Sequence, residues 1–131
     1  MATLAGTGSR AGAALKATGQ TVAVAESSAG GVISASLLAV PGASAYFKGG
    51  GVVYTSGSKT TLMAVADGAM AEARAATETH ALHLARSARV RLDADWGIGE
   101  TGAAGPAGNR YGDAPGHTCI GVAGPVEMTI T

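Results

Sequence analysis

Residues 21–40, "TVAVAESSAGGVISASLLAV", pass from a β-branched apolar run through a small-residue turn into helical spacing. "TVAVA" is apolar enough for a short strand buried on both faces. Val32, Ser36 and Leu37 recur at helical intervals until Pro41-Gly42 stops them. A strand, a turn and a helix in that order open an α/β unit, and this restricts the chain more than any other feature. Small residues reinforce the restriction. With 29 alanines, 21 glycines and only five aromatics, Val, Leu, Ile and Met must supply the bulk while backbones approach closely.

The remaining pattern continues the theme. Residues 3–18 read as a helix with Leu4, Ala11, Ala14 and Leu15 turned inward and Gly19 as its stop. "GGGVVYT" (49–55) reads as a second strand, and 57–65 as the start of a short helix. The alanine-rich stretch 70–91 predicts one long helix, with Leu82, Leu84, Ala85 and Ala88 facing a sheet. "DWGIGETG" (95–102) is a third strand. "HTCIGVAG" and "EMTIT" pair across Gly124-Pro125. At 131 residues, without a repeat or a linker, the expectation is a single α/β domain, its sheet flanked by helices.

Nine acids balance nine bases, so the basic face of a nucleic-acid binder is not expected. Neither a cationic amphipathic stretch nor an apolar run of about eighteen residues points to a membrane. The first nineteen residues hold no apolar segment of signal-peptide length, which places the expected home in the cytoplasm. Cys119, the one cysteine, has no internal disulfide partner and reads as core.

Three small-residue turns can carry chemistry: "AESSAGG" (25–31), "VPGASAYFKGGG" (40–51) and "GETGAAGPAG" (99–108). In an open α/β sheet ligands gather beyond the carboxyl ends of the strands. The first turn, with Ser27, Ser28, Gly30 and Gly31 where a helix begins, suits an anion, and equally an ordinary serine cap. The second offers Ser44, followed by Tyr54 and Lys59 five positions apart. A serine hydroxyl becomes a nucleophile when a base takes its proton, and a lysine made neutral by burial can be that base. Tyr54 can relay the proton or hold the leaving group, and the Gly49–Gly51 amides can face an oxyanion. A strand exit with one solvated lysine fits the same spacing. Glu100 and Thr101 can orient a substrate or cap backbone groups. His80 and His83, with Glu78 nearby, read as a solvated helix face sooner than as metal ligands. Neither a Walker loop nor a dinucleotide fingerprint is present.

The ordered series "AESSAGG", "VPGAS", a glycine pair before a strand ending in Tyr, a Lys five residues later, and "TGAAGP" resembles the CinA C-terminal domain family, which includes bacterial nicotinamide mononucleotide deamidases. The resemblance runs from about Leu15 to the end, within one domain spanning 1–131. It implies a three-layer α/β/α sandwich, commonly dimeric, so a homodimer is expected. It also implies an amidohydrolase that converts nicotinamide mononucleotide to nicotinate mononucleotide and ammonia, as part of NAD salvage. By motif position Ser44 would be the nucleophile, with Tyr54 and Lys59 as its activating partners. Ser27, Gly30, Gly31, Gly50, Thr101, Gly102 and Gly105 would form the substrate pocket, with neither metal nor organic cofactor. The chain departs from the pattern at Ala29, usually Thr, and at Ala103, usually Ile. A basic residue is missing around "DAPGH", and the family's closing Gly-Asp-Arg turn and helix do not follow the last strand. A mononucleotide-binding or regulatory domain without catalysis is the alternative these departures favour.

Overall fold

The computed structural model describes residues 2–131. Helix α1 (Leu4–Thr18) leads into strand β1 (Val22–Glu26), and helix α2 (Val32–Leu38) follows. A single 3-10 turn (Ala43–Ala45) precedes β2 (Phe47–Val52). Helices α3 (Ser56–Met63), α4 (Asp67–Glu72) and α5 (Glu78–Arg91) come next, then β3 (Trp96–Ala103), β4 (His117–Ala123) and β5 (Glu127–Ile130). The five strands form one mixed sheet in the order β2-β1-β3-β4-β5. β2, β1 and β3 run parallel, while β4 and β5 return antiparallel.

β1 is buried along its whole length and lies between two core clusters. Ala23 and Ala25 pack with Met63, Leu84 and Ala88 on the α3/α5 side. Val22 and Val24 pack with Leu37 and Tyr46 on the α1/α2 side. This alternation is the period-two signature of a strand covered on both faces, and it gives the expected α/β/α layering.

Glycine sets the spacing between layers. α1 does not turn Leu4 inward, since Leu4 is exposed; its buried residues are Gly8 and Gly12. A Cβ on Gly8 would lie 2.4 Å from the Ser36 carbonyl oxygen, so α1 and α2 touch through backbone. On the other face, Cβ atoms on Gly97 and Gly99 would lie 1.9 and 2.1 Å from the Ala85 and Ala81 carbonyl oxygens. α5 therefore rests directly on β3.

The single helix expected over 70–91 is two helices. Ala73 is extended, Ala76 has φ 61°, and Thr77 caps α5 by accepting from the His80 amide at 3.2 Å. Alanine propensity favours a continuous helix, but the Thr101 hydroxyl takes the Ala76 amide at 2.9 Å and holds the break. No helix among the described residues is long and apolar enough to cross a membrane.

Candidate functional site

Because β1, β2 and β3 are parallel, their carboxyl ends meet along one edge of the sheet. Ser27 follows β1, Tyr54 follows β2, and Thr101 and Gly102 lie near the end of β3. Together with Lys59, Asn109, Arg110 and Tyr111 they line a cleft of about 430 Å³. A smaller recess of about 250 Å³ adjoins it, lined by Ser28, Tyr54, Gly102 and Gly105 among others. A separate apolar groove of about 290 Å³, between α1 and the sheet beside Leu15, Leu37 and Trp96, presents almost no polar group. The chemistry belongs to the strand-end cleft.

Two buried carboxylates shape the loop that carries Ser27. Glu26 accepts from the amides of Gly31, Ile33 and Ser34 at 3.1, 2.9 and 2.8 Å, satisfying the first turn of α2. Glu100 accepts from the Ser27 and Ala29 amides at 2.9 and 2.8 Å and from the Ser28 hydroxyl. Of the two roles open to Glu100 in the sequence, the backbone-holding one is observed. Gly30 and Gly31, with φ of 66° and 107°, make the turn into α2 that brings these amides round. The Ser27 hydroxyl takes no hydrogen-bond partner among the described residues.

Lys59 arrives from α3. Thr55 caps that helix in a reciprocal pair with Ser58, each side chain meeting the other's amide at 3.1 Å. The small polar residues between Tyr54 and Lys59 are thus the helix start, and Lys59 leaves it pointing inward, only 3% exposed. Burial pushes its ammonium below the ordinary value, against the opposing pull of the Glu100 carboxylate. Its Nζ lies 3.0 Å from Nε2 of His80, which is 2% exposed. The other imidazole nitrogen, Nδ1, is 3.0 Å from the Ala73 carbonyl oxygen. A carbonyl can only accept, so Nδ1 carries the proton and Nε2 accepts from Lys59. Burial, with the Lys59 charge adding to it, holds His80 below its ordinary value despite the bond to Ala73. His80 is therefore an interior residue and not the solvated one expected from the sequence.

Ser44 is not brought to this site. It lies in the 3-10 turn before β2, whereas Tyr54 and Lys59 follow that strand. Six extended residues separate the two ends by about 20 Å. Ser44, expected to meet Tyr54 and Lys59, is not among the residues that line their cleft; Ser27 lines it with them. Gly50 is likewise displaced. It pairs with Val24 inside the sheet, and a Cβ there would lie 2.7 Å from the Ser34 hydroxyl, so it is a packing glycine. The Gly49–Gly51 segment lies in register with Ala23–Ala25 and does not reach the cleft as an oxyanion site.

Asn109, Arg110 and Tyr111 were not singled out in the sequence, because a polar loop carries no periodicity. Arg74 fixes their loop, bonding Asp113 at 2.9 Å and lying 4.5 Å from the Tyr111 ring centroid. That bond, with a second from Asn109, holds the Asp113 carboxyl down to about 2. His80 had a legible signal: it lies on the buried stripe Ala81, Leu84, Ala85 and Ala88, three residues after a threonine suited to cap a helix.

The family model for the CinA C-terminal domain matches residues 6–131. A CinA-like protein of Gloeobacter violaceus is 41% identical over 119 residues, covering 91% of this chain and 28% of its own length. One from Synechococcus sp. strain CC9902 is 42% identical over 106 residues, covering 81% and 25%. The chain thus spans about a quarter of the length of these relatives. Among solved structures, a competence-damaged protein (CinA) superfamily protein of Escherichia coli superposes with a TM-score of 0.89 at 26% identity, over 98% of this chain and 75% of that one. One from Enterobacter cloacae gives 0.89 at 28% identity, over 99% and 78%.

Proposed function

Since the chain belongs to the CinA C-terminal domain family, we propose that it is a serine–lysine amidohydrolase acting on the carboxamide of nicotinamide mononucleotide, with Ser27 as nucleophile in place of Ser44. The observation that carries this reading is the convergence of Ser27, Tyr54 and Lys59 on one cleft, with Lys59 buried and its ammonium disfavoured.

The chemistry follows from those groups. The neutral amine of Lys59 takes the Ser27 hydroxyl proton as the oxygen attacks the carboxamide carbon, opening the C=O bond to an oxyanion. Tyr54, exposed at the cleft wall, offers its hydroxyl to that oxyanion or to the leaving nitrogen. The proton held by Lys59 passes to the nitrogen, ammonia leaves, and an acyl-serine remains. Water activated by the same amine then releases the carboxylate and restores the serine. Arg110 supplies a cation on the cleft wall for the substrate phosphate, with Thr101, Gly102 and Gly105 supporting the pocket.

Ammonia release from nicotinamide mononucleotide tests the reading, with Ser27→Ala and Ser44→Ala beside the unaltered chain. Loss in the first variant and retention in the second is expected. Full turnover by Ser27→Ala would refute the assignment.

One observation favours a second reading. Glu100 occupies the amides of Ser27 and Ala29, two backbone donors beside the nucleophile, and an oxyanion must use others. A mononucleotide-binding domain without catalysis fits that arrangement. Saturable binding with no ammonia release would establish it.

A further inference from the structure

His80 is the buried titratable group that the scheme above leaves unused. It sits on α5, beneath the cleft, among α3, α4 and β3. Its two ring nitrogens are both engaged, Nδ1 by the Ala73 carbonyl and Nε2 by Lys59 Nζ, each at 3.0 Å. The charged and titratable neighbours acting on this pair are Glu100 from β3 and His83 on the next turn of α5. His83 is itself bonded to Glu72 of α4 at 2.8 Å. Neither carboxylate bonds to His80, so no anion stabilises an imidazolium there.

We propose that His80 is a positioning residue for Lys59: anchored through Nδ1 on the Ala73 carbonyl, it presents Nε2 as a fixed acceptor that orients the lysine amine toward Ser27. In a ring with one proton the geometry imposes the direction of every bond. Ala73 donates nothing through its carbonyl, so the ring proton is confined to Nδ1. Nε2 then has only its lone pair to offer. A neutral amine donating one N–H to Nε2 has its own lone pair free for the cleft. When Lys59 takes the serine proton, the same bond becomes charge-assisted and strengthens, which favours the cation at the step that forms it. An alkyl amine on four rotatable bonds has no orientation of its own, and a fixed acceptor removes that freedom in advance. The Lys59–His80 bond stands on its own geometry; its service to Ser27 rests on the amidohydrolase reading.

The first experiment uses the unaltered protein. In ¹⁵N-labelled material at neutral pH, the His80 ring should show a protonated Nδ1 and a bare Nε2. A proton on Nε2, or on both nitrogens, would overturn the proposal. The second uses two isosteres. His80→Asn places an amide where Nδ1 lay but nothing at Nε2, whereas His80→Gln places an acceptor oxygen near Nε2. His80→Asn should lower kcat on the order of 10- to 100-fold with little change in KM, and His80→Gln should recover most of it. The Lys59 Nζ titration, assigned with Lys59→Met, should move by about half a pH unit or more in His80→Asn and return in His80→Gln. An unmoved Lys59 titration in His80→Asn would overturn the proposal, as would equal loss of kcat in two variants with the same melting temperature. If the unaltered chain releases no ammonia, the amidohydrolase reading falls alone, and the ring tautomer and Lys59 titration still decide the pairing.

Discussion

Replacing Gly99 with alanine tests the packing that holds the site together. Gly99 lies on β3 beneath α5, and the new Cβ would lie 2.1 Å from the Ala81 carbonyl oxygen, 2.5 Å from the Ala85 nitrogen and 2.8 Å from the Leu84 Cβ. Ordinary contact begins near 3.4 Å, so the helix backbone must retreat by about 1.3 Å. No side chain can swing aside, because two of the three atoms are backbone. Overpacking of this kind costs about 3 kcal/mol, offset by about 0.5 kcal/mol from the stiffer unfolded chain. For a domain of this size the net loss lowers Tm by roughly 10 °C. Ala81 adjoins His80, so the same retreat pulls His80 off Lys59 and should reduce turnover on the order of 100-fold. Thermal unfolding followed by circular dichroism, with Gly68→Ala as the control, measures the first effect. Gly68 has open space around it in α4, and alanine there should stabilise by about 0.5 kcal/mol. A Gly99→Ala protein melting within about 2 °C of the parent would refute direct seating of α5 on β3.

Two further outcomes follow from the buried polar groups. His80 is held below its ordinary value of 6.5 in the folded chain, so below that pH the unfolded chain binds the extra proton. Stability should be fully present above about pH 6.5 and fall on acidification, by at most about 1.4 kcal/mol per pH unit from this group. His80→Gln should flatten that slope above pH 5 in urea titrations, and an unchanged slope would show that His80 titrates freely. Glu100→Leu keeps much of the bulk but offers no acceptor, leaving the Ser27 and Ala29 amides and the Ser28 hydroxyl without the partner they have in the fold. A loss of about 2 kcal/mol is expected, with faster amide exchange confined to the loop after β1, and exchange unchanged there would remove Glu100 as its anchor.

Much of the layered fold was legible because its signals are local. β-branched runs, Gly19 and the Pro41-Gly42 stop are read a few residues at a time, and they locate β1, α1 and α2 closely. The failures have one cause. The break at Ala73–Thr77 opposes alanine propensity and is held by Thr101, some 25 positions away. Gly8 and Gly12 are buried where Leu4 was expected to be, because close backbone approach outweighs side-chain hydropathy when the partner is another helix. The site divides the same way. Lys59, Tyr54, Thr101 and Ser27 are visible in the sequence as types, yet their grouping depends on which strand ends coincide.

By itself, then, the sequence determines an α/β chain of closely packed small-residue elements, a lysine five positions after a strand-end tyrosine, and three turns able to hold a ligand. Only the tertiary structure decides which serine shares a cleft with that lysine. A parallel strand carries its two flanking loops to opposite edges of the sheet, so Ser44, nearer in sequence than Ser27, is the one left behind. The same folding puts His80 beside Lys59 and turns a residue of ordinary helical surface character into a buried neighbour of the lysine.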